Sequence, residues 1–267
     1  MNEVLRAAIY GFAVGDALGV PVEFQPRGSF HVTGMEGYGS HHQPAGTWSD
    51  DTSMTLATCD SIRELGHIDC EDLYERFCDW LHNAKYTVDG IVFDVGGTTR
   101  AALQKGEGLD DYYSNGNGSL MRVLPLAFID MNAETVAAVS GITHRHNVSA
   151  DACCAYVSIA KQLQKGKSIT EATEYCDGRL PIIHTLDKNE IKSTGFVIDT
   201  LEAAVWALAT TDSYREAVLK AVNLGDDTDT VAAVTGGLAG IVYGYESIPR
   251  EWIETLRGKD IIESCLF

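Results

Sequence analysis

Two short acidic stretches, far apart in the chain, have the residue types and spacing to do chemistry. Thr47, Trp48, Ser49, Asp50, Asp51 and Thr52 stand directly before an apolar-periodic run from Met54 to Leu65, which puts the paired carboxylates at a helix start. Gly225, Asp226, Asp227, Thr228, Asp229 and Thr230 precede a second such run beginning Val231, Ala232, Ala233. One carboxylate at each place is explained by helix capping and by the positive end of the helix dipole. Capping does not need three within four residues. Like charges at this spacing raise one another's pKa unless a cation offsets them, and carboxylates flanked by threonine hydroxyls are hard oxygen ligands suited to Mg²⁺, Mn²⁺ or Ca²⁺. The second stretch lacks the sixth-position glycine and terminal glutamate of an EF-hand. If both helices aim their N-termini at one centre, four aspartates and two hydroxyls can bind two ions. Over-provisioned caps remain the alternative on spacing alone.

Other polar segments fit around such a centre. Asn115, Gly116, Asn117, Gly118 and Ser119 lead into Leu120, Met121 and Arg122, a glycine-freed turn that could cradle an anion or be an ordinary turn. Asp94, before Gly96, Gly97, Thr98 and Thr99, is a cap or a general base. Glu23 follows apolar Gly19, Val20, Pro21 and Val22, and Asp16 sits inside a glycine-striped helix where it could bond a neighbouring backbone. Only one of His144 and His146 can share a face with the helix that follows. His41 and His42 lie in the loop from Gly34 to Gly46, a lid or a solvent loop. Gly166, Lys167 and Ser168 end like a phosphate-binding loop, but Lys161 replaces its first glycine.

The elements that must position these groups are helical. Three- and four-residue apolar spacing predicts helices near 3–19, 51–65, 70–83, 95–104, 119–130, 132–142, 149–165, 168–176, 195–210, 213–222, 228–243 and 249–256. No alternating strands, fixed-period repeat or low-complexity linker divides the 267 residues, so the expectation is an all-α, single-domain orthogonal bundle over 1–267. Gly11, Gly15 and Gly19, and likewise Gly236, Gly240 and Gly244 with Gly237 beside them, form stripes that predict two central helices in close backbone contact.

Composition narrows the function. Lys and Arg number 20 against 38 Asp and Glu, a net charge of −18 that disfavours wrapping a nucleic-acid backbone, although bound cations can reverse the local sign within a cleft. No stretch approaches ~18 uninterrupted apolar residues, and Met1, Asn2 and Glu3 do not begin a signal sequence, so no membrane partner and a cytoplasmic location are expected. Seven cysteines without a C-x-x-C pair read as reduced, mostly buried thiols, and the sequons at Asn117 and Asn147 as chance matches.

Taken in order, five motifs resemble the ADP-ribosylglycohydrolase family across nearly the whole chain: Gly15 to Gly19 with Glu23; Trp48 to Thr52; Asp94 to Thr99; Asn115 to Met121; and Gly225 to Thr230. The resemblance implies an orthogonal helical bundle with a dinuclear Mg²⁺ or Mn²⁺ site that cleaves the ribose C1″ bond of an ADP-ribosylated protein or small ADP-ribosyl compound, releasing ADP-ribose. It implies Ser49, Asp50, Asp51, Asp227, Asp229 and Thr230 as metal ligands, Glu23 and Asp94 as catalytic acids or bases, and Asn117, Gly118, Ser119, Met121 and His144 as substrate contacts. Arginine, serine, another side chain or a modified nucleic-acid base would all present the same ribose half as acceptor. A metal-dependent phosphohydrolase and a silent crystallin-like or ADP-ribose-binding relative are the alternatives. Two positions depart from the family's pattern: Ser49 stands where many members have threonine, and Asp226 where many have glycine. The added charge of Asp226 is expected beside the metals or at the phosphate entrance.

Overall fold

The computed structural model describes residues 2–267. Its elements are α1 (Glu3–Gly19), α2 (Asp50–Leu65), α3 (Cys70–Asn83), α4 (Gly97–Lys105), α5 (Ala133–Gly141), α6 (Asn147–Gln164), α7 (Ile169–Thr173), α8 (Val197–Ala209), α9 (Tyr214–Val222), α10 (Thr228–Tyr243), α11 (Arg250–Thr255) and α12 (Lys259–Cys265), with short 3₁₀ turns between them and no strand among the described residues. The all-α expectation holds.

The glycine stripes explain the centre of the bundle. A methyl group on Gly11 would lie 2.3 Å from the Gly236 carbonyl oxygen, one on Gly15 2.1 Å from that of Ala232, and one on Gly240 2.2 Å from that of Ala7. Rising numbers on α1 meet falling numbers on α10, so the two run antiparallel with backbones touching, which offsets the roughly 1 kcal/mol that a glycine costs in a helix. The last contact of the series sets Gly19 against Asp229, and Thr228 Oγ1 donates to the Gly19 carbonyl at 2.8 Å. The start of α10 is thereby fixed beside the end of α1. Gly244 falls outside the stripe, because α10 ends at Tyr243 and Gly244 takes φ 80° as its cap. Residues Glu3–Val22 are long and apolar enough to cross a membrane, with a mean hydropathy of 1.3 over 18 residues, but 89% of that window is buried against the rest of the bundle.

Two predicted elements differ and one element was not predicted. Residues 119–130 form two 3₁₀ turns, Leu120–Arg122 and Leu124–Phe128, instead of one helix. Pro125 has no N–H to donate to the Met121 carbonyl four residues back, and that carbonyl accepts the Thr55 hydroxyl of α2 at 2.7 Å instead. The helix expected over 168–176 shortens to α7, begun by a capping box between Ser168 and Glu171, so the would-be phosphate loop at Gly166 is a helix cap. The sequence reading missed α12, whose seven residues are too short for a periodic signal. All seven cysteines are free; Cys59, Cys153 and Cys265 are buried and the others partly so.

Candidate metal centre and its cleft

The two acidic stretches converge. Thr230 Oγ1 at the start of α10 donates to Asp51 Oδ2 at the start of α2 at 3.2 Å. Carboxylate oxygens of Glu23, Asp227 and Asp229 lie within 4.8 Å of one another. At α10, Asp227 occupies the N-cap position without a side-chain cap bond, and Asp229 spends one oxygen, Oδ1, on the Thr230 N–H at 2.9 Å. At α2 the capping is done by Ser49, whose hydroxyl accepts from Asp51 N–H at 3.3 Å, and by Asp16 of α1. The fully buried Asp16 carboxylate accepts Ser49 N–H at 2.9 Å, Thr52 N–H at 3.0 Å and the Thr52 hydroxyl at 2.6 Å. Asp50 and Asp51 are thus released from capping. Trp48 holds the segment in register, buried and donating from Nε1 to the Tyr86 carbonyl at 3.1 Å.

The carboxylates are left in a state that a cation would relieve. Asp51 Oδ1, Asp227 Oδ1 and Asp229 Oδ2 are buried without a hydrogen-bond partner, a costly arrangement for acceptor-only groups. Burial first, then mutual repulsion, pushes Asp50, Asp51 and Asp229 well above the ordinary carboxylate range. Asp227 rises to about 6, burial outweighing its bond from Asn117. Three orphaned oxygens in an all-oxygen set fit hard divalent cations. Ser49, Asp50, Asp51, Asp227, Asp229 and Thr230 therefore stand together where the acidic stretches required it.

A cleft of about 230 Å³ opens over this centre, lined by Glu23, Asp50, Asp94, Asn117, Gly118, Met121, His144, Asp227 and Thr230 with Phe24, Gly96–Thr99, Gly116 and Gly195. Glu23 is brought in by the turn at Val20–Val22 and by backbone pairing of its neighbours with the second acidic stretch: Phe24 N–H donates to the Asp226 carbonyl at 2.7 Å and Asp226 N–H to that of Gln25 at 2.9 Å. Burial, followed by the charge of Asp94, raises Glu23 to about 11. Asp94 does not cap α4, whose N-cap is Gly96; with φ 52° it faces Glu23. Asn117 has two partners, its Nδ2 donating to Asp227 Oδ2 and to Thr200 Oγ1, each at 2.9 Å. Its N–H is taken by the Gly195 carbonyl at 3.0 Å, so Asn117 orients a carboxylate and its backbone does not join an anion cradle. Ser119 is also displaced from expectation: it is fully buried behind the wall, its hydroxyl accepting from Ser140 at 2.9 Å. Gly118, Met121 and His144 do line the cleft.

Of the two histidines, His146 is the N-cap of α6 and His144 enters the cleft. Burial, then the Arg122 charge, lowers His144 to about 3, so it is neutral. Its Nδ1 lies 2.7 Å from Thr143 Oγ1, which already accepts from Arg122 at 2.8 Å. The hydroxyl proton then goes to Nδ1, an assignment made from the network, and Nε2 carries hydrogen toward the cleft.

The sequence placed His41 in a lid or solvent loop and did not foresee its contact with Glu23. Its loop is neither free nor an open lid: Gly39 takes φ 50° so close to Pro21 that a methyl group would meet the Pro21 carbonyl oxygen at 1.8 Å. That contact delivers His41 Nε2 to a hydrogen bond with Glu23 Oε2, with the ring centroid 5.9 Å from Phe24 and 5.2 Å from Phe93. No periodicity or motif in a glycine-rich loop could have announced it. Asp226, in contrast, does not reach the carboxylate centre. It takes φ 66°, a conformation natural to glycine, and its side chain is exposed beside Gln25 and Arg27, outside the cleft wall. A neighbouring groove of about 530 Å³, with Tyr112, Tyr113, Phe196 and Lys192 in its wall, shares Gly116 and Gly195 with the cleft.

Comparison with known proteins places these motifs. The sequence model of the ADP-ribosylglycohydrolase family matches residues 2–266. An ADP-ribosylarginine hydrolase, Tri1, of Serratia proteamaculans (strain 568) is 35% identical over 94% of this chain and 74% of its own. An ADP-ribosyl-[dinitrogen reductase] glycohydrolase of Rhodospirillum rubrum is 32% identical over 93% of this chain and 88% of its own. A solved structure described as an ADP-ribosylglycohydrolase-related protein complex superposes with a TM-score of 0.84 at 30% identity, covering 98% of this chain and 95% of that one.

Proposed function

The chain belongs to the ADP-ribosylglycohydrolase family, and we propose that it hydrolyses the bond between ribose C1″ and an arginine side chain of ADP-ribosylated protein in a metal-dependent reaction. Its class, hydrolysis of ADP-ribosyl glycosidic bonds, follows from the family and its relatives. The observation that carries the finer reading is the meeting of orphaned Asp51, Asp227 and Asp229 oxygens with Glu23 and Asp94 around one cleft.

Ser49, Asp50, Asp51, Asp227, Asp229 and Thr230 would hold two Mg²⁺ or Mn²⁺ ions. When bound, these would offset the carboxylate repulsion and grip vicinal ribose hydroxyls. The chain's own groups do the rest. Remaining negative charge beside the sugar favours an oxocarbenium-like transition state. Burial and the adjacent Asp94 favour the protonated form of Glu23, and His41 holds its carboxyl group in place, so Glu23 is the group that delivers a proton to the departing acceptor atom. Half-exposed Asp94 receives a proton from the attacking water as its oxygen bonds to C1″ and the bond to the acceptor breaks. His144 Nε2–H donates to the ligand without competing for protons. The adenosine end extends from Gly116 and Gly195 into the groove of Tyr112 and Phe196.

The test is product analysis on an ADP-ribosylarginine substrate with Mg²⁺, with Mn²⁺ and with chelator. ADP-ribose should appear only with metal, and Asp227→Ala should cut its release at least about 100-fold. Formation of AMP would make the chain a phosphohydrolase, and ADP-ribose binding without turnover would make it a silent relative; either result sinks the reading.

A further inference from the structure

The cleft that is to receive a diphosphate has no lysine or arginine in its wall. Beneath that wall, bonded to the carbonyl of its Gly118, lies Arg122, which is 0% exposed and forms no ion pair with a carboxylate among the described residues. Its Nη1 donates to the Gly118 carbonyl at 2.8 Å, and its Nη2 to the Thr143 hydroxyl at 2.8 Å and the Val139 carbonyl at 3.2 Å, while its Nε has no partner. Phe77 covers the guanidinium, whose carbon sits 4.6 Å from the ring centroid. A buried cation without a counter-charge is expensive, and its bonds all go to neutral acceptors, one of them the carbonyl of Gly118 in the cleft wall.

What the charge holds is informative. Arg122 draws the Gly118 carbonyl down beneath the cleft wall, while Ser119 behind that wall stays fully buried. Gly118 itself lines the cleft, where a methyl group would collide with His144 Cε1 at 2.9 Å. The second Arg122 contact, through Thr143, fixes the tautomer and place of His144 on the same wall.

We propose that Arg122 is a positioning residue for the substrate's diphosphate, holding Gly118 in the cleft wall, aiming His144 Nε2–H at the ligand and supplying from beneath the positive charge that the wall lacks. The inference rests on the reading of the substrate as an ADP-ribosyl compound. A charge seated in low dielectric is screened little by salt, unlike the exposed Lys192 of the adjoining groove. The ligand's negative charge is the counter-ion that the fold does not provide.

The experiment compares Arg122→Met, Arg122→Lys and the surface control Lys192→Met with the unaltered chain, measuring KM, kcat and inhibition by ADP-ribose and by adenosine at low and high salt. Arg122→Met should raise KM and the ADP-ribose inhibition constant about 10- to 100-fold, with kcat and adenosine inhibition little changed. Arg122→Lys, which keeps the charge and loses the fork, should fall between. The Lys192→Met penalty should fade in high salt while that of Arg122→Met persists. A residue serving stability alone would lower kcat, adenosine binding and melting temperature together and leave the selectivity for the diphosphate unmoved, which overturns the proposal. If Arg122→Met does not fold, Arg122→Lys decides: an unchanged ADP-ribose inhibition constant refutes it. Should the unaltered chain release no ADP-ribose, the functional reading fails, and calorimetric titration of the same variants with ADP-ribose still tests Arg122 separately.

Discussion

Asp16 caps a helix to which it does not belong: from α1 its carboxylate accepts the Thr52 hydroxyl at 2.6 Å and the Thr52 N–H at 3.0 Å at the start of α2. The consequence lies one residue away, because Asp50 and Asp51 can then face the cleft. Asp16→Ala should cost about 2 kcal/mol or more in urea unfolding, combining a lost cap with buried donors left unpaired. It should also weaken Mn²⁺ binding in calorimetry, as Asp51 turns back to cap its own helix. A variant with unchanged metal affinity would break this link.

The contact of α1 with α10 tolerates no side chain. Gly15→Ala places a methyl carbon 2.1 Å from the Ala232 carbonyl oxygen, and neither backbone can yield without moving the acidic start of α10. We expect a loss of roughly 1–3 kcal/mol and a lower melting temperature, despite alanine's better helix propensity. Gly66→Ala, at a solvent-facing cap where no atom lies within 4 Å, should be limited to the strain of its φ of 72°. Equal effects at the two positions would contradict the packing argument.

His41 should matter to proton transfer more than to binding. His41→Ala removes the partner of Glu23 and the ring between Phe24 and Phe93. Turnover is expected to fall about 10- to 100-fold with KM changed little, and the acidic or basic limb of the pH profile to shift. A change in KM alone would assign His41 to substrate binding.

Metal and pH should act on stability in opposition. The folded-state pKa of Asp227 lies above its ordinary value, raised from 3.8 to about 6, chiefly by burial. The folded state thus holds the proton more tightly, so this contribution to stability is complete below 3.8 and is lost as pH rises through about 6. Asp50, Asp51 and Asp229 are shifted in the same direction. In chelator the melting temperature should therefore fall from mildly acidic to neutral pH, and added Mg²⁺ or Mn²⁺ should restore it most at neutral pH. Metal stabilisation that is strongest in acid would rule out these carboxylates as ligands.

Much of this site was legible in the chain because the signals are local. A helix start is announced by the few residues around it, so the acidic groups at Asp50 and Asp227 could be set at helix N-termini from sequence alone. The stripes at Gly11, Gly15, Gly236 and Gly240 likewise follow from helical period and predicted the central pair. Pro125 carried a local signal too, but the apolar run around it outweighed it, and the expected helix over 119–130 became two turns.

Sequence by itself therefore determined the helical class, the two carboxylate groups and the family motifs, all features that persist over a few residues. Tertiary structure decided which N–H groups were already taken, as at Asn117, and which chain segment capped α2. It also decided that His41 meets Glu23, that Asp226 faces away and that Arg122 lies buried without a counter-ion. These are matters of direction and distance between segments remote in the chain. A carboxylate's role depends on which donors reach it, and only packing the helices assigns those donors.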